Sequence, residues 1–241
     1  MIDFLQQLNW IAVGQIVLID LLLGGDNAIL IAMACRNLSP ELRLKGILWG
    51  TAGAIVIRII LITFAVALLQ VPFLKLVGGV LLVWIGVKLL ADETDDHDNV
   101  AASNRLAGAI KTIIIADLVM SIDNVMAIAS AAERAGGEHQ YSLVILGILI
   151  SIPIVVWGST LVLKMMERLP FIITFGAGLL GYLGGAMMVS DTMIDKRLDS
   201  ALPASLLHVG GWGIMLSVPG LFAGAFVICI GIWLSGRSPA G

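Results

Sequence analysis

Charge is what this chain has least of. Only 13% of its 241 residues are Asp, Glu, Lys or Arg, whereas 59% are hydrophobic; soluble domains carry about 25% charged residues. With a mean hydropathy of +1.02, this composition excludes an ordinary water-soluble domain. Cysteine is almost as scarce. Cys35 and Cys229 stand far apart without a spacing partner, which excludes a disulfide framework or a thiolate metal site. The three histidines, His97, His139 and His208, fall in or beside the polar breaks between apolar runs. No phosphate-binding glycine loop is present to drive a nucleotide-powered pump, and no basic, aromatic surface suits nucleic acid. Basic residues are missing before the first apolar run, whose only early charge is Asp3. No small-residue cleavage pattern follows, so that run is expected to be a retained span and not a signal peptide.

Long apolar runs are what remains. Residues 4–19, 46–57, 59–74, 141–163, 169–190 and 209–236 carry no charge at all, and a bilayer core requires about 17–25 mostly apolar residues per helix. The pattern predicts an all-α polytopic membrane protein, one membrane domain over 1–241, with seven transmembrane helices at 11–34, 46–69, 72–90, 107–131, 141–163, 170–190 and 212–234. Lys and Arg concentrate on one set of flanks (Arg36, Arg43, Lys45, Lys88, Arg105, Lys111, Lys164, Arg168, Arg237) over the other (Lys75, Arg134, Lys196, Arg197). By the positive-inside rule this predicts an N-terminus outside and a cytoplasmic C-terminus in the cell (inner or plasma) membrane. The acidic linker 91–106, with Asp92, Glu93, Asp95, Asp96 and Asp98, would then face the cytoplasm, as a solvated loop or a weak cation collector.

The second half repeats the first. Asp20, Asp26, Asn27, Ala32 and Ala34 recur as Asp117, Asp123, Asn124, Ala129 and Ala131, 97 residues on, and Gly50 recurs as Gly147. After one insertion, Pro72, Phe73, Gly78, Trp84 and Gly86 match Pro170, Phe171, Gly176, Tyr182 and Gly184. Repeat 1 covers 11–90 and repeat 2 covers 107–190, three helices each, with the helix at 212–234 extra. Three is odd, so the two copies are expected to be inverted, as in transporters that bind substrate between repeats near the midplane.

The repeated element is acidic and sits inside hydrocarbon-loving sequence: "IDLLLGGDNAILIAMA" and "ADLVMSIDNVMAIASA". A carboxylate near mid-membrane costs at least a few kcal/mol and marks a functional site by default. Gly24 and Gly25 before Asp26 permit a helix break that would free backbone carbonyls; Ser121 and Ile122 replace them in the second copy, and Ser121 could offer a hydroxyl. Carboxylate, amide and carbonyl oxygens suit a hard divalent cation such as Mg²⁺, Ca²⁺ or Mn²⁺. The same groups could instead tie helices together by hydrogen bonds. Arg58, the one base deep within a span, could neutralise one of the acids, either as a structural tie or as a lock released on cation binding.

These motifs resemble the TerC family of integral membrane proteins, in particular its YjbE-type branch, which is grouped with LysE-type exporters. The resemblance covers roughly residues 10–190. It implies Mn²⁺ export, with Asp26, Asn27, Asp123 and Asn124 as metal-site residues and Asp20 and Asp117 as the acids before them. Family members often carry glutamate where Asp20 stands. The expected protein is thus a secondary transporter of divalent cations, most of all Mn²⁺, in exchange for protons, with no resident cofactor and scope for homo-oligomerisation. The competing readings are a carrier of Ca²⁺ or another cation, and a non-transporting membrane scaffold or stress-response protein. An enzyme is not expected, since aspartyl protease chemistry needs two acids sharing one proton.

Overall fold

The computed structural model describes residues 13–15, 17–18, 25–64, 71–91, 102–135, 140–191, 193–194, 208–211 and 214–236. A chain this apolar must satisfy its backbone polar groups within each segment, so helices dominate. They are α1 (Gly25–Cys35), α2 (Pro40–Thr63), α3 (Leu74–Ala91), α4 (Ala102–Ala135), α5 (Gln140–Arg168), α6 (Phe171–Val189) and α7 (Val218–Ser235). Residues 13–15 and 17–18 are also helical. Pro40 opens α2, where a missing N–H costs nothing, and Ser217 caps α7 by accepting from the Gly220 N–H at 3.3 Å.

Two expectations are corrected. The structure has five helices long and apolar enough to cross a membrane among the described residues, not seven: within α2, Pro40–Leu61; α3; within α5, Leu149–Arg168; α6; and α7. α1 is described over 11 residues, about 16 Å at 1.5 Å per residue, half of a bilayer core. α4 is long, but Lys111, Asp117, Asp123 and Asn124 interrupt its apolar run. The count of two inverted three-helix repeats plus one extra helix therefore does not stand. The all-α expectation stands, with one small strand pair besides the helices among the described residues. β1 (His208–Gly211) and β2 (Ile214–Ser217) form an antiparallel hairpin, pairing His208 with Ser217 and Gly211 with Ile214, directly before α7. The seventh predicted span, 212–234, absorbed β2 because "IMLSV" reads equally well as hydrocarbon; Pro219 and the Ser217 cap set the true start.

Packing divides between two groups. In the first, α6 lies against both α3 and α7, and glycine sets the distance. A Cβ on Gly184 would fall 2.6 Å from the Gly79 carbonyl oxygen, and one on Gly185 2.6 Å from that of Pro219. Small residues allow backbones to meet where lipid offers no hydrophobic drive. In the second group, α2 packs on α4 and α1 on α5. Gly50 and Gly53 admit Ile113 and Ile114 of α4 to the surface of α2. α5 runs on through Pro153, which deprives the Leu149 carbonyl of its usual N–H partner. Large side chains point outward instead: Trp49, Trp157, Phe171 and Phe222 are each at least 65% exposed, as a lipid-facing surface requires.

Side chains fasten the ends. At one end Arg36 donates to the Leu89 carbonyl at the close of α3 (2.8 Å), and Arg43 pairs with Glu167 of α5 while donating to the Leu38 and Arg36 carbonyls. At the other, buried Asp191 accepts from the Leu76 and Met193 N–H groups, and the Ser217 N–H donates to the Tyr182 hydroxyl.

The Gly79–Gly184 crossing is expected to be intolerant of one methyl group. Gly184→Ala should destabilise the detergent-solubilised protein by about 1–3 kcal/mol through overpacking. Gly108→Ala, where a Cβ meets nothing within 4 Å, should leave thermal unfolding unchanged or raise it slightly. Equal melting of the two variants would show that the crossing is not close-packed.

Candidate functional site in the membrane interior

Four helices of the second packing group surround a small cavity of about 30 Å³. Its polar wall is built from Asn27 of α1, Thr51 and Arg58 of α2, Asp117 of α4 and Ser151 of α5. All five are at most 6% exposed. Counted from Gly46, the first residue of the charge-free run in α2, Thr51 lies about 8 Å and Arg58 about 18 Å along the helix, against a core of about 30 Å. The cavity thus lies well inside the apolar layer.

Arg58 and Asp117 form its electrostatic centre. The guanidinium Nη2 lies 2.6 Å from Asp117 Oδ1, and Nε donates to Ser121 Oγ at 3.2 Å. The Ser121 hydroxyl donates in turn to Asp117 Oδ2 at 3.1 Å. Asp117 and Ser121 are four residues apart, so one helix face presents both, and the planar fork of arginine bridges the pair. Two other polar atoms on the cavity residues are unsatisfied among the described residues. Asn27 Oδ1 and Thr51 Oγ1 are buried with no hydrogen-bond partner among the described residues. A buried polar atom left so costs about 1–3 kcal/mol, which makes these two oxygens a place where a ligand gains most.

The sequence-derived residues distribute unevenly over this site. Asn27 and Asp117 line the cavity, and Arg58, an accessory candidate, is ion-paired to Asp117. Ser121 serves the carboxylate and the guanidinium, where the sequence offered it as a cation ligand. Asp26 stands in the first turn of α1, half-buried, with Oδ1 lacking a partner among the described residues; the charges of Asp117 and Arg58 both act on it. Gly25 opens the described part of α1 and is exposed. Asn124 is half-buried in α4, which passes unbroken through the second acidic motif, so no helix break exists there. Asp20, Gly24 and the Asp123 side chain lie outside the described residues, as does most of the acidic linker 91–106. Among the described residues, no three His, Cys, Asp or Glu side chains cluster as a metal site; the cavity is built of amide, hydroxyl and one carboxylate.

Thr51 and Ser151 were not singled out by the sequence. One signal could have found them: the 97-residue offset carries Ala54 to Ser151, Ile55 to Ile152 and Arg58 to Val155, and all six line the cavity.

A helical bundle with an arginine–aspartate pair and unsatisfied amide and hydroxyl oxygens around an interior cavity defines a multi-pass membrane protein with a polar intramembrane site. The chain belongs to the integral membrane protein TerC family, whose model matches residues 5–237. It is 46% identical over 180 residues to the uncharacterized membrane protein YjbE of Bacillus subtilis (strain 168), spanning 75% of this chain and 80% of that one. It is 24% identical over 248 residues to the membrane protein YkoY of the same organism, spanning 94% and 74%. It is 20% identical over 216 residues to the inner membrane protein YgdQ of Escherichia coli (strain K12), spanning 83% and 86%. No solved structure matches the chain.

Removing one member of the buried pair strands the other. Asp117→Asn is expected to lower unfolding stability in detergent by about 3–5 kcal/mol. The double variant Arg58→Met/Asp117→Asn should recover a good part of that loss, and additive effects of the two substitutions would show the pair to be uncoupled.

Proposed function

We propose that this protein is a secondary transporter that exports divalent metal cations from the cytoplasm, Mn²⁺ above all, in exchange for protons. The observation that carries this reading is the convergence on one interior cavity of Asn27 Oδ1 and Thr51 Oγ1, both buried and without a partner among the described residues, with the Asp117 carboxylate. Hard oxygen donors without thiolate or imidazole suit Mn²⁺, Mg²⁺ or Ca²⁺; family resemblance, with this chain in the YjbE-type branch of the LysE-type exporters, is what favours Mn²⁺. The cargo site is assigned to Asp20, Asp26, Asn27, Asp117, Asp123 and Asn124, with Arg58, Gly24, Gly25 and Ser121 as accessory residues.

Duplication supports transport over static binding. Positions paired by the 97-residue offset, on α2 and α5, line the same cavity. Two related halves, 11–90 and 107–190, that both contribute to one interior site support a carrier over a static binder. The carboxylates provide the proton-exchanging groups. In this reading the end fastened by Arg36, Arg43 and Glu167 faces the cytoplasm, in keeping with the positive-inside rule.

A second reading has one observation in its favour. The Arg58–Asp117–Ser121 network joins α2 to α4, as a tie in a membrane scaffold would.

Flux separates them. Protein reconstituted in liposomes under a pH gradient is expected to move Mn²⁺, and Asp26→Asn or Asp123→Asn to lower the rate at least about tenfold, the loss of about 1.4 kcal/mol of transition-state stabilisation. Normal flux in both folded variants would remove these acids from the site. A correctly folded wild type that moves no divalent cation would leave the scaffold reading in place.

A further inference from the structure

We propose that Arg58 is a tethered counter-cation that sets the valence of what the cavity admits: a monovalent cation does not displace it from Asp117, and a divalent cation does. This inference rests on the cation-site reading above and adds a selectivity residue to it.

Three observations converge on the proposal. The carboxylate on the cavity wall already holds a positive charge, with Arg58 Nη2 at 2.6 Å from Asp117 Oδ1 and the Ser121 hydroxyl bridging both groups. On the same cavity, Asn27 and Thr51 are 4% and 5% exposed and bring oxygens with no partner among the described residues. These are neutral donors, which solvate a cation without supplying a charge. Finally, the repeat position of Arg58 is Val155, on the same cavity. An aliphatic side chain therefore serves at the matching place in the other half, so packing there does not by itself demand a guanidinium.

Charge decides what can enter. At about 30 Å³ the cavity has room for one dehydrated ion, which must sit beside the guanidinium. Interaction energy scales with the product of the charges. A monovalent ion gains at Asp117 no more Coulomb attraction than Arg58 already has, and it brings no hydrogen-bonding fork to replace the two bonds it would break. A divalent ion doubles the attraction. It can draw Asp117 from Arg58 while Asn27 and Thr51 complete its shell. The arginine thus acts as a threshold: it weakens binding of every cation and removes the weakest competitors, a case of selectivity built from a repulsive element. It also leaves Asp117 neutralised when no cargo is bound, which keeps the empty carrier stable.

The test is Mn²⁺ affinity of the full-length purified protein, by calorimetry and by Mn²⁺-dependent thermal shift, in sodium chloride against N-methylglucamine chloride at equal ionic strength. Wild type is expected to bind equally in both. Arg58→Met is expected to bind Mn²⁺ on the order of tenfold more tightly in N-methylglucamine, the size of one charge-assisted hydrogen bond removed from competition, and to lose that gain in sodium. Ser121→Ala removes the hydroxyl bridge, leaves both charges, and serves if Arg58→Met does not fold; it should tighten Mn²⁺ binding a few-fold. Unchanged or weaker Mn²⁺ binding in these variants, with wild-type indifference to sodium, overturns the proposal and leaves the cation site standing. A wild type that binds no Mn²⁺ in either salt overturns the cation site and this proposal together.

Discussion

The structure depends on keeping an arginine and an aspartate together in a layer that solvates neither. Each charge alone inside the apolar core costs at least a few kcal/mol. Arg58 and Asp117 offset that cost only because α2 and α4 meet closely enough for a bond of 2.6 Å, with Ser121 accepting from the guanidinium and donating to the carboxylate. Gly50 and Gly53 make the approach possible by receiving Ile113 and Ile114 where a side chain would stand. The charge pair therefore fixes the separation of two helices, and that separation leaves the small cavity beside it. Such a pair is weak evidence for stability, because an apolar replacement of similar shape would often do as well. Its retention beside unsatisfied oxygens is better explained by a site than by a brace.

The glycine-packed group α3, α6 and α7 supplies what the polar group lacks. Mutual contact of Gly79 and Gly184 backbones leaves no room for rotation or insertion, so these helices form a firm wall. α3 and α6 make the link, packing on α4 and α1 respectively. Fasteners at the ends complete the arrangement: Arg36 and Arg43 tie the turn between α1 and α2 to α3 and α5, and Asp191 holds the start of α3. A glycine-packed group next to a polar group that holds the small cavity is a physical division of the fold. Motion, under the transporter reading, belongs to α1, α2, α4 and α5, where the unsatisfied atoms are.

Much of the site was legible in the sequence because charge inside an apolar run cannot be accidental. Asp117 and Arg58 announced themselves by their isolation, and Asn27 by its place beside Asp26. Ser121 was visible as the residue replacing Gly24. Thr51 and Ser151 were not, since hydroxyl residues are common in membrane helices and bond their own backbone, as Ser159 and Thr160 do here with Val155 and Val156. Only the third dimension shows that Thr51 lacks such a partner. The seven-span count failed for a related reason. Hydropathy measures composition, and neither the charges within α4 nor the turn from β2 into α7 at Pro219 is decided by composition. A hairpin of Val, Gly, Ile, Met and Leu has the same hydropathy as a helix of those residues.

The most informative feature is a broken symmetry. The offset that relates the halves pairs Ile55 with Ile152 on the cavity wall, yet it pairs Arg58 with Val155 and Ala54 with Ser151. Under the repeat reading, each difference at the shared cavity is a place where the two halves bring different side chains to it. On the α2 side the task is charge: a guanidinium that neutralises the carboxylate of α4. On the α5 side it is a small hydroxyl and an aliphatic wall, with no base to compete for an incoming ion. A site with two equal acid halves would either hold a divalent cation too tightly to release it or repel itself when empty. Placing one base on one side avoids both outcomes. Under the transporter reading, it lowers affinity without removing an oxygen ligand, and it leaves the Asn27 amide and the Thr51 hydroxyl on the cavity lining for an incoming ion.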